Sequence, residues 1–342
     1  MRVDRFDKRQ PITKSRRHRP ELMDIISPPY QLYPEVEPHA SGLIDLDGQH
    51  KMYWEVSGNP KGFPVVFLHG GPGAGASPSH RRFFDPDHYR IIVFDQRGSG
   101  RSRPFAEIEN NTTQHLIADM ERLRKHLEVS KWLLLGGSWG SSLALAYGIE
   151  HPERVVGFIL RGIFLCRDTE LDWFLNGMAT VFPEPWREFT HFLPEAERMD
   201  VLGSFHKRLI NKDPSIHTPA AQAWAHYEGA CSTLLPNPRS ASGLVSGRAA
   251  LALARIEAHY FVNQMFLPNE YFFDHLNIIR DIPATIIQGR YDMVCPITTA
   301  DALYSSWPEA KYHVIPDAGH SAMEPSLRSA LVASTEKFKT GF

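Results

Sequence analysis

The chain is 342 residues long, 42% apolar and 22% charged, with a formal net charge of −2. This is the make-up of a globular protein with room for one large α/β domain carrying an insertion, or for two domains, and it gives no electrostatic reason to seek nucleic acid or an anionic membrane. Cys166, Cys231 and Cys295 are odd in number and widely spaced. That excludes a disulfide framework and a CxxC metal or redox motif, and points to free thiols in a reducing compartment. No apolar run approaches a membrane span and the N-terminus lacks the apolar core of a secretory signal, so a cytoplasmic protein is expected.

Residues 1–35 read as a basic, flexible arm, because Arg2, Arg5, Lys8, Arg9, Lys14, Arg16, Arg17 and Arg19 crowd a stretch with almost nothing apolar to bury. Asp4 and Asp7 speak against an organelle transit peptide. Ser41–Gly48 and Lys51–Gly58 then read as two strands joined at Asp47–Gly48, a hairpin signal. Pro64–Leu68 is an unbroken apolar run, hence a buried strand, and it empties into His69–Gly70–Gly71–Pro72–Gly73. Arg90–Phe94 is another, leading to Asp95–Gln96–Arg97–Gly98–Ser99–Gly100–Arg101–Ser102. Leu116, Met120, Leu123 and Leu127 recur at helical spacing.

Trp132–Leu135 runs into Gly136–Gly137–Ser138–Trp139–Gly140, and small residues follow until His151–Pro152. That order is a strand, a tight turn and a helix. Val155–Leu160 makes one more strand. From about 165 the rhythm breaks into helical pieces rich in Trp, Phe, His and Pro, such as Ala249–Glu257. It returns with the strands Ala284–Gly289 and Lys311–Ile315 and a closing helix from about Ser326. The expected fold is α/β: a mostly parallel sheet with helices on both faces, a core of 36–164 and 282–342, and a helical cap inserted at 165–281.

A serine between two glycines at a strand-to-helix turn is the nucleophile-elbow pattern, so Ser138 is the candidate nucleophile. A hydroxyl is a weak nucleophile until a base takes its proton, and the base needs an acid to orient it. In the order this fold uses, the acid is Asp292, on the loop leaving one strand, and the base is His320, just past the next. Asp317 and Asp95 are rivals for the acid. Asp317 shares the loop of the base, and Asp95 reads better as a turn that braces the site. The oxyanion of a tetrahedral intermediate needs two donors, expected from the backbone N–H of Trp139 and that of Gly71, with Gly70 next to it. The glycine-rich loop lacks the third glycine and the Gly–Lys–Ser/Thr of nucleotide binders, and no HExxH or clustered Cys/His pattern appears, so neither cofactor nor metal is expected.

Taken together, His69–Gly73, Asp95–Ser102, Gly136–Ser141, Leu160–Phe164, Gly289–Asp292 and Ala318–Ser321 resemble the proline iminopeptidase family of α/β-hydrolases, over nearly the whole chain from residue 40. The resemblance implies a serine triad, no cofactor, and peptide substrates with an N-terminal proline. Within the cap, Trp224–Ala230 and Arg255–Phe261 look like the family's two segments whose glutamates hold the substrate amine, which implies that role for Glu228 and Glu257. Tyr227 stands where the family has tryptophan, and Ser142 where it has threonine. The aromatic neighbours Trp224, Tyr227, Tyr260 and Phe261 are expected to pack on a proline ring. Two rival readings are a relative that cleaves other small amides or esters, and an inactive hydrolase fold used as a binding protein. Ser138 at the elbow speaks against epoxide hydrolases and dehalogenases, which carry aspartate there.

Overall fold

The computed structural model describes residues 21–22, 30–236 and 247–340. Among the described residues, nine strands form one sheet: β1 (Glu21–Leu22), β2 (Ala40–Asp45), β3 (Lys51–Gly58), β4 (Phe63–Leu68), β5 (Tyr89–Phe94), β6 (Trp132–Ser138), β7 (Val155–Ile163), β8 (Ala284–Gly289) and β9 (Lys311–Ile315), in the order β1-β9-β8-β7-β6-β4-β5-β3-β2. Only β3 runs against its neighbours; every other pairing among the described strands is parallel. The central strands are the unbroken apolar runs, buried on both faces, whereas edge strand β2 alternates half-buried and exposed residues.

Side chains on successive residues of a strand leave on opposite faces, so each apolar run feeds two cores. On one face Val66, Leu68, Ile92, Phe94, Leu134, Leu160 and Ile286 pack against α1 (Thr113–His126) and α2 (Trp139–Glu150). On the other face Val65, Ile91, Val93, Leu133, Leu135 and Ile287 meet the closing helix and the turn of Pro78–Phe83. Among the described residues, six cap helices lie between β7 and β8: α3 (Asp168–Leu175), α4 (Pro183–His191), α5 (Val201–Leu209), α6 (Pro214–Cys231), α7 (Gly247–Val262) and α8 (Tyr271–Ile279). Aromatic rings hold the cap together. Phe189 stacks on Phe205 at 4.4 Å and on Tyr227 at 4.5 Å, and Phe174 meets Phe261 edge-on at 5.4 Å. After β8, α9 (Ile297–Ser306) precedes β9, and α10 (Pro325–Lys339) closes the chain on the second face.

The N-terminal region departs from the expectation of a flexible arm through residue 35. Residues 1–20 lie outside the described residues. Glu21 and Leu22 pair with His313 and Val314, extending the sheet at an edge whose backbone groups would otherwise lack a ladder partner. Further on, the Tyr30 N–H donates to Ser329 Oγ at 3.3 Å and the Tyr33 N–H to the Arg82 carbonyl at 2.9 Å. Tyr33 also donates its hydroxyl to Glu336 on α10. These bonds dock residues 30–33 on the core.

The loops after β4, β5, β6, β8 and β9 all leave at carboxyl ends of parallel strands, and therefore on one side of the sheet. Backbone clearance there is minimal. A Cβ on Gly140 would stand 2.1 Å from the Leu68 carbonyl oxygen, and one on Gly136 2.1 Å from the Gly140 carbonyl oxygen. Gly140→Ala is expected to destabilise the protein by about 1–3 kcal/mol, the cost of overpacking a dense interior, read as a lowered melting temperature at unchanged denaturant slope.

Candidate active site

Ser138 is the last residue of β6 and the N-cap of α2, with φ 58° and ψ −131°. Side chains avoid that backbone region, and it persists only where the surroundings enforce it. Here the enforcement is visible. Ser141 Oγ donates to the Ser138 carbonyl at 2.7 Å and accepts from the Phe164 N–H at 3.3 Å. Ser142 Oγ donates to the Phe164 carbonyl at 2.6 Å, so its hydroxyl does what the family's threonine could also do.

The loop after β4 lies against the serine. A Cβ on Gly70 would come within 3.3 Å of Ser138 Cβ. Gly71 has φ +106°, and a Cβ there would stand 2.6 Å from the Gly73 nitrogen, so the turn requires glycine. Gln96 locks this loop to the elbow: its Nε2 donates to the His69 carbonyl at 2.9 Å, and its Oε1 accepts from the Trp139 indole at 2.8 Å. Gly71 and Trp139 are thus neighbours of Ser138 on two sides. Gly71, Ser138, Phe164, Glu170, Phe174, Glu257, Phe261, Val294 and Cys295 line one pocket.

Of the three candidate acids, Asp292 is the one beside the base. His320 Nδ1 lies 2.9 Å from Asp292 Oδ2 and 3.0 Å from Oδ1. Both residues are buried, and the carboxylate also accepts from the Cys295 N–H at 2.8 Å and Gln288 Nε2 at 3.2 Å. Asp317 instead accepts from Ser326 Oγ at 2.7 Å. Asp95 accepts from the Ala76 N–H, the Arg101 N–H and the Arg101 guanidinium, and so braces the turn after β5.

The other ring nitrogen carries a feature the sequence reading missed. His320 Nε2 faces Arg161 Nη1 at 3.2 Å, and the same nitrogen of Arg161 donates to the His320 carbonyl at 2.8 Å. A guanidinium has donors only, so Nε2 must present its lone pair and the ring proton sits on Nδ1 toward Asp292. That is the tautomer a general base needs. No hydrogen bond joins Ser138 Oγ to His320 among the described residues; the hydroxyl lies against the Cys295 thiol, which burial pushes well up. A positive residue inside the apolar run Val155–Ile163 was the available signal for Arg161.

Above the pocket, Glu257 on α7 is 3% exposed and accepts from the Trp224 indole at 2.6 Å. Glu228 on α6 has a buried Oε2 with no hydrogen-bond partner among the described residues. Burial pushes the Glu228 carboxyl up to about 7, and burial with the neighbouring Glu228 charge holds Glu257 well above the usual carboxylate range. The expected aromatic lining needs correction. Only Phe261 of the four faces the pocket, joined by Phe164 and Phe174. Trp224 is turned to Glu257, Tyr227 donates its hydroxyl to the Phe174 carbonyl at 2.8 Å, and Tyr260 donates to Asn111 Oδ1 at 3.0 Å. Each phenol or indole follows its polar tip to a buried partner, which a linear pattern of aromatics does not reveal. Glu170, whose carboxylate accepts from the Leu165 and Arg167 N–H groups at 3.1 Å, is a further pocket residue absent from the sequence reading.

Among the described residues there is no group of three or more His, Cys, Asp or Glu able to hold a metal, and no helix long and apolar enough to cross a membrane. A sequence model of the alpha/beta hydrolase fold family matches residues 64–326. A proline iminopeptidase of Arabidopsis thaliana is 49% identical over 90% of this chain and 82% of its own. One from Xylella fastidiosa (strain 9a5c) is 47% identical over 90% of this chain and 99% of its own. Among solved structures, an esterase from Exiguobacterium antarcticum superposes with a TM-score of 0.60 over 87% of this chain and 100% of its own, at 19% identity, a likeness of fold alone.

The raised cap carboxyls fix the sign of a pH effect. The folded protein holds their protons more tightly than the unfolded chain, so they cost stability increasingly as pH rises from the unfolded value of 4.5 through about 7. Glu228→Gln is therefore expected to raise the melting temperature of the ligand-free protein more at about pH 8 than at about pH 5. An equal shift at both values would show that the carboxyl is not raised.

Proposed function

The chain belongs to the proline iminopeptidases of the α/β-hydrolase fold and is a hydrolase, and from that membership we propose that it releases N-terminal proline through a prolyl-enzyme formed on Ser138. The observation that carries this reading is the pocket in which Ser138 meets the buried carboxylate of Glu257, which has no cationic partner among the described residues, with Glu228 beside it. A protonated secondary amine is the partner such a pair lacks. It would relieve their mutual repulsion and let both carboxyls ionise. Phe164, Phe174 and Phe261 supply the apolar wall for a pyrrolidine ring.

The proposed chemistry uses the groups in their observed order. His320 turns its Nε2 lone pair from Arg161 to the Ser138 hydroxyl and takes its proton, while Oγ attacks the prolyl carbonyl carbon. The carbonyl oxygen gains the charge and is held by the Trp139 and Gly71 N–H groups. Collapse breaks the C–N bond, His320 returns the proton to the leaving amine, and the prolyl ester remains on Ser138. Water then repeats the sequence, with His320 as base, and frees proline and the serine hydroxyl. Asp292 keeps the ring oriented and stabilises the imidazolium without taking its proton.

A general esterase has no use for two buried cap carboxylates, and the substrates separate the readings. Wild-type protein is expected to cleave a prolyl amide with a free amine and to cleave the N-acetylprolyl amide poorly, because a blocked amine leaves the acid pair unpartnered. Glu228→Gln and Glu257→Gln are each expected to lower kcat/KM for the free-amine substrate by about one to two powers of ten, with much less effect on a small neutral ester. Equal cleavage of free and blocked amides by the wild type would overturn amine recognition.

The triad is tested separately. Ser138→Ala should lose several powers of ten in kcat with its fold intact. Asp292→Asn should fall by about 10⁴, the loss that follows a wrong tautomer, whereas Asp317→Asn should stay near normal. The reverse order for the two aspartates would move the acid to Asp317.

A further inference from the structure

Helix α6 carries Glu228 and ends at Cys231, and the residues just beyond it cross directly over the histidine loop. The Ser232 carbonyl accepts from the His320 N–H at 3.2 Å and from the Ser321 N–H at 2.9 Å. The Ser232 hydroxyl turns back and donates to the Glu228 carbonyl at 2.7 Å. One residue therefore touches the backbone of both the amine-facing glutamate and the base.

Glu324 closes the same junction from the core side. Its Oε1 accepts from the Leu234 N–H of the cap at 2.6 Å, and its Oε2 from the Gly319 N–H, one residue before the base. Glu324 occupies the N-cap of α10, where an acidic side chain ordinarily serves its own helix, yet it makes no side-chain cap bond there. Its backbone makes only the ordinary bonds of that position: the Glu324 N–H donates to the Ser321 carbonyl at 3.1 Å, and its carbonyl accepts from the Arg328 N–H at 2.8 Å. The approach is close enough to restrict the sequence. A Cβ on Gly319 would lie 2.9 Å from the Leu234 nitrogen.

We propose that Glu324 is a positioning residue that clamps the Glu228 helix to the His320 loop, so that capture of the substrate amine and presentation of the imidazole to Ser138 are set by one carboxylate. The clamp rests on the reading of Glu228 as an amine ligand. It requires both oxygens, because each accepts from a different part of the chain. A neutral amide in the same place keeps one acceptor and turns an N–H group toward the other donor, leaving that donor unpaired. The cap would then still bind an amine, but at a position no longer tied to the base.

The test is Glu324→Gln, alone and combined with Glu228→Gln, with kcat/KM for a prolyl amide and for a small neutral ester, and a thermal melt for each variant. Glu324→Gln is expected to lower kcat/KM for the prolyl amide about tenfold, the scale of one lost charge-assisted hydrogen bond, and that for the ester less than about threefold. The double variant should retain more activity than the product of the two single losses predicts, because both changes act on one linkage. Ser232→Ala cuts the linkage at the other side, away from α10, and should shift the amide-to-ester ratio in the same direction.

Parallel losses on both substrates, a lowered melting temperature with unchanged kinetics, or a multiplicative double variant would each overturn the clamp. If Glu228→Gln is impaired on the free amine and the double variant is multiplicative, only the clamp fails. If Glu228→Gln has no effect on the free amine, amine recognition by Glu228 fails, and the clamp with it.

Discussion

The candidate site depends on a close contact of backbone with backbone. β6 passes the start of α2 so tightly that neither Gly136 nor Gly140 has room for a single carbon, and β4 contributes the carbonyl of Leu68 as the floor against Gly140. Ser138 is held in its unfavourable backbone geometry because the strand that delivers it is buried in mid-sheet and paired on both sides, by β4 and β7. The same contact brings the loop after β4 alongside the serine. Ser138 and the Gly71 and Trp139 N–H groups proposed as oxyanion donors are thus placed by one packing constraint, and rigid elements carry the geometry.

Around that contact the buried charges divide into two kinds. Arg97 and Asp119 are each about 3% exposed and form a two-pronged pair at 2.5 and 2.7 Å. Glu55 accepts from Arg81 at 2.7 Å and from Arg101 at 2.8 Å, and Arg101 also serves Asp95. These pairs hold the turn after β5, and through Gln96 they hold the His69 loop. Removing either partner would leave an uncompensated buried charge. The cap carboxyls of Glu228 and Glu257 differ because no ion pair compensates them among the described residues. A paired buried charge belongs to the scaffold, whereas an unpaired one beside a nucleophile is poised for a ligand.

The sheet and the elbow were legible in the sequence because their signals are local. Unbroken apolar runs mark the central strands, the Asp47–Gly48 hairpin signal marks β2 and β3, and Gly136-x-Ser138-x-Gly140 marks the turn. The meeting of Asp292 with His320 was legible from chain order alone, since both follow adjacent strands of a parallel sheet. What escaped depends on three-dimensional direction. Nothing in the order Trp224, Tyr227, Tyr260 says that each ring turns its polar edge into the cap and leaves the pocket wall to Phe164 and Phe174. Arg161 was visible as an oddity in an apolar strand, but its partner lies 159 positions further along. The docking of residues 30–33 was hidden for a related reason: basic composition upstream suggested solvation, while Tyr30 and Tyr33 find partners on the last helix.

The order of the strands has a consequence for the newly made chain. β6 and Ser138 leave the ribosome early, followed by the whole cap, and only afterwards by β8 with Asp292 and β9 with His320. β8 pairs in parallel with β7 and β9 with β8, so both join the sheet only after the cap has been synthesised. A chain synthesised only through the cap therefore carries Ser138 without the histidine proposed to activate it. The cap segment, 165–281, is complete before His320 is made. If the proposed roles hold, the direction of translation alone makes the cap before the triad is complete.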